Sequence, residues 1–98
     1  MKVKLKNGTM VGCSNPIEQK VFKGGESAGW ICSLTFTDNL SSTDIDSLVT
    51  TENMSEMTFM NEENETVVTL TGYEKLTSAI IRHSVEKTSV DIQLTKGV

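Results

Sequence analysis

Apolar and polar residues alternate with period two over most of this chain, which is the pattern of strands buried on one face. From Met1 to Lys6, Val3 and Leu5 interleave with Lys2, Lys4 and Lys6. Asn7-Gly8 follows, a pair that tolerates positive φ at both positions and therefore favours a two-residue hairpin turn. Thr9 to Cys13 is expected to return as the second strand, with Leu5 opposite Met10 and Val3 opposite Gly12. Asn15-Pro16 ends that strand, because proline lacks an N–H and restricts the residue before it. Ile17 to Phe22 reads as a short third strand or an extended segment, and residues 24–27 as a flexible loop.

The clearest strand runs from Ala28 to Thr37. Trp30, Cys32, Leu34 and Phe36 share one large apolar face, while Ile31, Ser33, Thr35 and Thr37 share the other. The first face is expected to be core. The periodicity then changes. Leu40, Ile45, Leu48 and Val49 are spaced for a helix, Ser41 and Asp44 match a capping box, and Asp44 and Asp46 suit a helix N-terminus. A helix over about 42–51 is predicted, too short to stand without packing on a sheet.

Alternation resumes with Met57 and Phe59, breaks at an acidic turn over 61–64, and returns from Thr66 to Thr71 as the other half of a hairpin. Gly72 allows a bend into a strand from Leu76 to His83. The last strand carries Val90, Ile92 and Leu94 against Asp91, Gln93 and Thr95. Ile80-Ile81 interrupts strict alternation, which a bulge or burial of both faces would explain. These elements define an α+β fold: a mainly antiparallel sheet of about six to seven strands built from hairpins, with one helix packed on it. With 98 residues the chain forms one domain, spanning 1–98.

Charge alters this picture in one respect. Residues 1–24 carry five lysines against a single glutamate, whereas residues 38–65 carry eight acids and neither Lys nor Arg. Such a segregated field can orient a protein on a partner. The net charge of −4 argues against nucleic acid as that partner. No apolar run approaches the roughly 18 residues that a bilayer span needs. The lysine-rich start is followed by no apolar stretch, so it reads as a strand and not as an export signal. Cys13 and Cys32 are read as reduced thiols, Cys32 on the core stripe.

Reactive side chains are few. His83 is the only histidine, and two cysteines with one histidine lack the paired spacings of a zinc site. Asp44 and Asp46 lack the rest of a calcium loop, and Gly24-Gly25 lacks the Lys-Ser/Thr of a phosphate loop. Glu62, Glu63 and Glu65 sit at a solvated hairpin tip, where carboxylates have no cause for divergent pKa values. No catalytic, cofactor-binding or metal-binding residue is assigned. The side chains singled out for contact with a partner are Trp30 and Tyr73, as aromatic anchors, and Glu62, Glu63 and Glu65, as an acidic patch.

Five stretches, Met1 to Thr9, Leu34 to Asp38, Thr43 to Val49, Thr58 to Met60 and Gly72 to Leu76, give the chain a cadence that resembles small accessory proteins of bacteriophages and prophages of Gram-positive bacteria, of the tail and assembly type. The resemblance implies a compact α+β module encoded among virion tail and assembly genes; together with the lack of an assigned active site and the many strands, it leads to the expectation of a protein that acts without catalysis, through contacts with virion proteins. It implies a place in the bacterial host's cytoplasm or in the virion itself. A second expectation comes from the acidic run: an inhibitor of a host defence nuclease, presenting carboxylates to a basic groove. Either way the expected partner is another protein, with homo-oligomerisation left open.

Overall fold

The computed structural model describes residues 1–97. It has eight strands, β1 (Lys2–Leu5), β2 (Met10–Gly12), β3 (Ile17–Lys23), β4 (Glu26–Phe36), β5 (Glu56–Met60), β6 (Thr66–Thr71), β7 (Lys75–His83) and β8 (Thr88–Lys96). Between β4 and β5 lie helix α1 (Ser42–Leu48) and a 3-10 turn, Asn53–Ser55. The fold is α+β and all its strand pairs are antiparallel, as the alternation predicts. The strands divide into two sheets of four, ordered β2-β1-β5-β6 and β3-β4-β8-β7. The strand count is thus slightly above expectation, because Ile17–Lys23 is a full strand and residues 24–27 are no loose loop. Gly24-Gly25 is a two-residue turn that leads straight into β4.

The sheets face each other across one core. Val3, Leu5, Met57 and Phe59 contribute from the first sheet, and Cys32, Leu34, Phe36, Val90, Ile92 and Leu94 from the second. Each such residue gains about 1.5–3 kcal/mol by leaving water. The face Cys32–Leu34–Phe36 is buried as expected, with Trp30 half-buried at its margin. Helix α1 starts where Ser41 caps it, its side chain accepting the Asp44 N–H at 3.2 Å. It stops at Leu48, three residues short of the predicted end: the Val49 N–H makes the last helical bond, to the Ile45 carbonyl, and the Leu48 carbonyl is taken by the Asn53 side-chain amide. Its Ile45 and Leu48 join the common core.

The first hairpin corrects the expected register. Lys4 lies opposite Met10 and Val3 opposite Val11. The Leu5 carbonyl accepts from Gly8 N–H and the Leu5 N–H donates to the Thr9 carbonyl, both at 2.9 Å, so the loop holds three residues. Gly8, at φ 90°, takes the left-handed position that such a loop requires. One extra loop residue shifts every pair by one, which brings two buried valines together and leaves Met10 45% exposed. The second correction concerns Ile80-Ile81. The irregularity of β7 falls between Leu76 and Ser78, and the two isoleucines are 56% and 43% exposed, so neither a local bulge nor double burial accounts for them.

Asn53 ties three elements together. It is only 7% exposed. Its amide donates to the Leu48 carbonyl at 3.1 Å, its side-chain oxygen accepts from Asn7 N–H at 3.0 Å, and its own carbonyl accepts from Lys6 N–H at 3.0 Å. The end of α1, the 3-10 turn and the β1–β2 loop are thereby held at one point. Asn53→Ala should destabilise the protein by about 2 kcal/mol in urea unfolding, because it strands polar groups that the side chain now satisfies. Thr69→Ala, on an exposed strand face, should stay within about 0.5 kcal/mol of the parent.

Candidate functional site

Sheet edges are the natural docking surfaces of such a fold, because they carry unpaired N–H and C=O groups. The four edges here differ. The β2 edge is occupied: Gly12 N–H donates to Asp38 Oδ2 at 2.7 Å and the Gly12 carbonyl accepts from Thr37 N–H at 2.8 Å. Helix α1 then runs alongside, with Leu40 and Leu48 across a shallow depression of about 390 Å³ from Met10 and Val11. The β6 edge is interrupted at Val67, which the β5 register skips between Phe59 and Met60, and Lys96 Nζ caps the Thr71 carbonyl at 3.0 Å. Both devices discourage pairing with another chain. The edges of the second sheet, β3 and β7, are open. Ile17 and Phe22 on β3 are each 60% exposed. On β7, Ile80 and Ile81 project to opposite faces, and Val85 at the tip of the β7–β8 hairpin is fully exposed.

Tyr73 is not a surface anchor. It is wholly buried at the corner between β6 and β7, and its hydroxyl donates to Glu18 Oε2 at 2.6 Å. The Lys96 ammonium stands 4.6 Å from its ring centroid. Burial first, and then the bond to Glu18, hold the phenol protonated far above its ordinary range. Trp30 is half-buried, with Lys20 Nζ 5.8 Å from its ring and 5.4 Å from that of Phe22. Glu62, Glu63 and Glu65 are exposed as expected. Asn61 organises their turn by accepting the N–H groups of Glu63 and Glu65 at 3.0 and 2.9 Å. The acids are not an isolated negative patch. Lys2 Nζ reaches Asn64 Oδ1 in the same turn at 2.8 Å, and the Met1 ammonium lies 3.3 Å from Glu62. Pairing β1 with β5 folds the basic segment of the sequence back against the acidic one.

The thiol of Cys32 and the imidazole of His83 do not meet. Cys32 lies opposite Leu94 on β8, while His83 pairs with Thr88, six residues along the same strand and roughly 20 Å away. His83 is exposed and its Nδ1 is 3.1 Å from Thr88 Oγ1. Cys13 and Cys32 are free thiols and both are buried, Cys32 on the core stripe as expected. Burial pushes each up to about 11; for Cys32 the nearby Glu18 adds to the effect and Lys96 opposes it. Among the described residues no three His, Cys, Asp or Glu side chains are grouped to hold a metal, and no helix is long and apolar enough to cross a membrane.

Searches against protein-family models, curated proteins and solved structures found no match to this chain. Its open edges and their apolar side chains are therefore the features from which a function has to be argued. The sequence marks one of them, at Ile80-Ile81, where two bulky residues break the alternation that burial on a single face would impose.

Native Cys13 and Cys32 should resist a thiol reagent at pH 8 and react rapidly once denatured. A folded-state pKa raised from 9.0 to about 11 means that the protonated thiols stabilise the fold fully below pH 9 and lose that contribution as pH rises towards 11. The melting temperature should fall across that window, and less steeply in the Cys13→Ala/Cys32→Ala double variant.

Proposed function

We propose that this is a phage-associated, non-enzymatic protein that works through protein–protein contacts as an accessory in virion structure or assembly, present in the host cytoplasm or built into the particle. The observation that carries this reading is the β7–β8 hairpin. Its distal half holds Ile80 and Ile81 exposed on opposite faces and Val85 at the tip, on a strand whose outer edge is unpaired. A strand of this kind suits edge addition by a partner, with main-chain bonds giving affinity and the two isoleucines giving specificity. Exposed aliphatic side chains gathered on one hairpin contribute nothing to the core, and their burial in an interface would recover the cost of leaving them in water. The resemblance to phage accessory proteins supplies the context.

The alternative, inhibition of a host defence nuclease by acidic mimicry, has weaker support. Lys2 and the Met1 ammonium sit at the acidic turn, and β1 brings Lys4 alongside Thr58 of β5. The field that a basic groove would meet is thus reduced.

Ile80→Lys/Ile81→Lys should leave the fold unchanged, since both positions are exposed, and should lower co-purification of the protein with virions at least about tenfold. Quantitative mass spectrometry of purified particles from a phage carrying each allele checks this. Undiminished incorporation of the double variant would remove the β7 hairpin as the docking element, and absence of the wild-type protein from particles would remove the virion role.

A further inference from the structure

We propose that the free edge of β3 pairs antiparallel with β3 of a second copy of this chain, with Gln19 on the two-fold axis, joining two four-stranded sheets into one of eight. This involves a different edge from the β7 hairpin and stands independently of the function proposed above.

The main-chain geometry comes first. Ser14 N–H donates to the Thr35 carbonyl at 2.8 Å, so the odd-numbered residues of β4 direct their main-chain groups towards the β3 side. Ile17, Gln19 and Val21, which lie opposite Ser33, Ile31 and Gly29, are thus the residues of β3 bonded to β4. Glu18, Lys20 and Phe22 are left with N–H and C=O groups pointing away from the sheet. Six of the seven residues of β3 are exposed and Val21 is half-buried; on the inner face Glu18 accepts from the Tyr73 hydroxyl and Lys20 lies over the Trp30 ring.

Among the registers centred on Glu18, Gln19 and Lys20, the side chains then favour one. Outward residues must pair with outward residues, which allows only alternate alignments. Centring the two-fold on Lys20 sets two ammonium groups directly opposite, and centring it on Glu18 sets two carboxylates opposite. Centring it on Gln19 places Glu18 against Lys20 of the second copy, twice by symmetry. No ion pair among the described residues involves Glu18 or Lys20 within one copy. The Tyr73 hydroxyl engages Glu18 through Oε2, and Oε1 remains for the ammonium. In the same register Ile17 meets Val21 on the outer face, and Phe22 comes beside Pro16, whose missing N–H ends the ladder. The two side chains of β3 that are 60% exposed, Ile17 and Phe22, are the ones that gain cover. An edge contact of this length buries less than a standard stable interface, so the association is weak and concentration-dependent.

Sedimentation equilibrium tests the proposal. The wild-type protein should dimerise with rising concentration, and less so at high salt. Lys20→Glu, which sets carboxylate against carboxylate, should weaken dimerisation by about tenfold. Mixing Lys20→Glu with Glu18→Lys should restore it, because every cross-strand pair is then opposite in sign. Since Glu18→Lys removes the Tyr73 acceptor and could impair folding, cross-linking provides a second readout. Cα atoms of directly opposed, non-hydrogen-bonded residues lie about 4.5 Å apart, within disulfide range, so Gln19→Cys should oxidise readily to a linked dimer while Lys23→Cys on the same face does not. A wild-type protein that stays monomeric at the highest attainable concentration, a dimer indifferent to Lys20→Glu, or equal cross-linking at both positions would overturn the proposal.

Discussion

Neither four-stranded sheet of this protein can exist alone, and that constraint governs the rest of the structure. Each has one apolar face, and a sheet of four short strands must cover that face to be stable. The chain meets the requirement by facing the two sheets against each other and sealing them with helix α1, Met54 and Tyr73. The connection from β2 to β3 begins the second sheet, and Cys13, just past β2, bridges to Phe36 of β4. The polar contacts of Asn53 serve the same end. They fix the loop of the first hairpin against the end of the helix, so that the core closes at one place.

Much of the fold could be read from the sequence, because alternation reports which face of a strand is wet. The Trp30–Phe36 stripe, the Val90–Leu94 stripe and the cap at Ser41 were all legible from local residues. What escaped was set by atoms far away in the chain. Asn7-Gly8 announces a hairpin but not whether its loop holds two residues or three, and the single extra residue changes every pair. The division into two sheets depends on β1 pairing with β5, more than fifty positions distant, which leaves no trace in either segment. Tyr73 beside Gly72 reads as a contact residue for a partner. It is buried because the corner between β6 and β7 turns inward onto Glu18. Of the side chains singled out for contact, the three acids lie on the surface, Trp30 is half covered, and the open edges of β3 and β7 were not anticipated. Ile80-Ile81 held the signal for β7, in a pattern that a core strand would not produce.

The buried polar group around Tyr73 has the composition of a reactive site and the electrostatics of a structural one. A phenol, a thiol, a carboxylate and an ammonium lie together, yet burial favours the neutral forms of Tyr73 and Cys32, and the phenolic proton is committed to Glu18. Such an arrangement satisfies a large buried aromatic side chain without leaving an orphan hydroxyl. It also anchors the inner side of β3, whose other groups face water.

The order β3-β4-β8-β7 puts the two uncovered strands at opposite margins of a single sheet. Joining two copies along one margin leaves the other margin displayed twice, at the far ends of a continuous ribbon and related by a half-turn. Such an object is bivalent. A target that repeats at matching spacing, as the subunits of a symmetric assembly do, would be gripped by both ends at once, and the second grip would be governed by effective concentration and not by the strength of either contact alone. Two individually feeble edges could in this way give a durable attachment to a repeating lattice while leaving the isolated protein free to exchange.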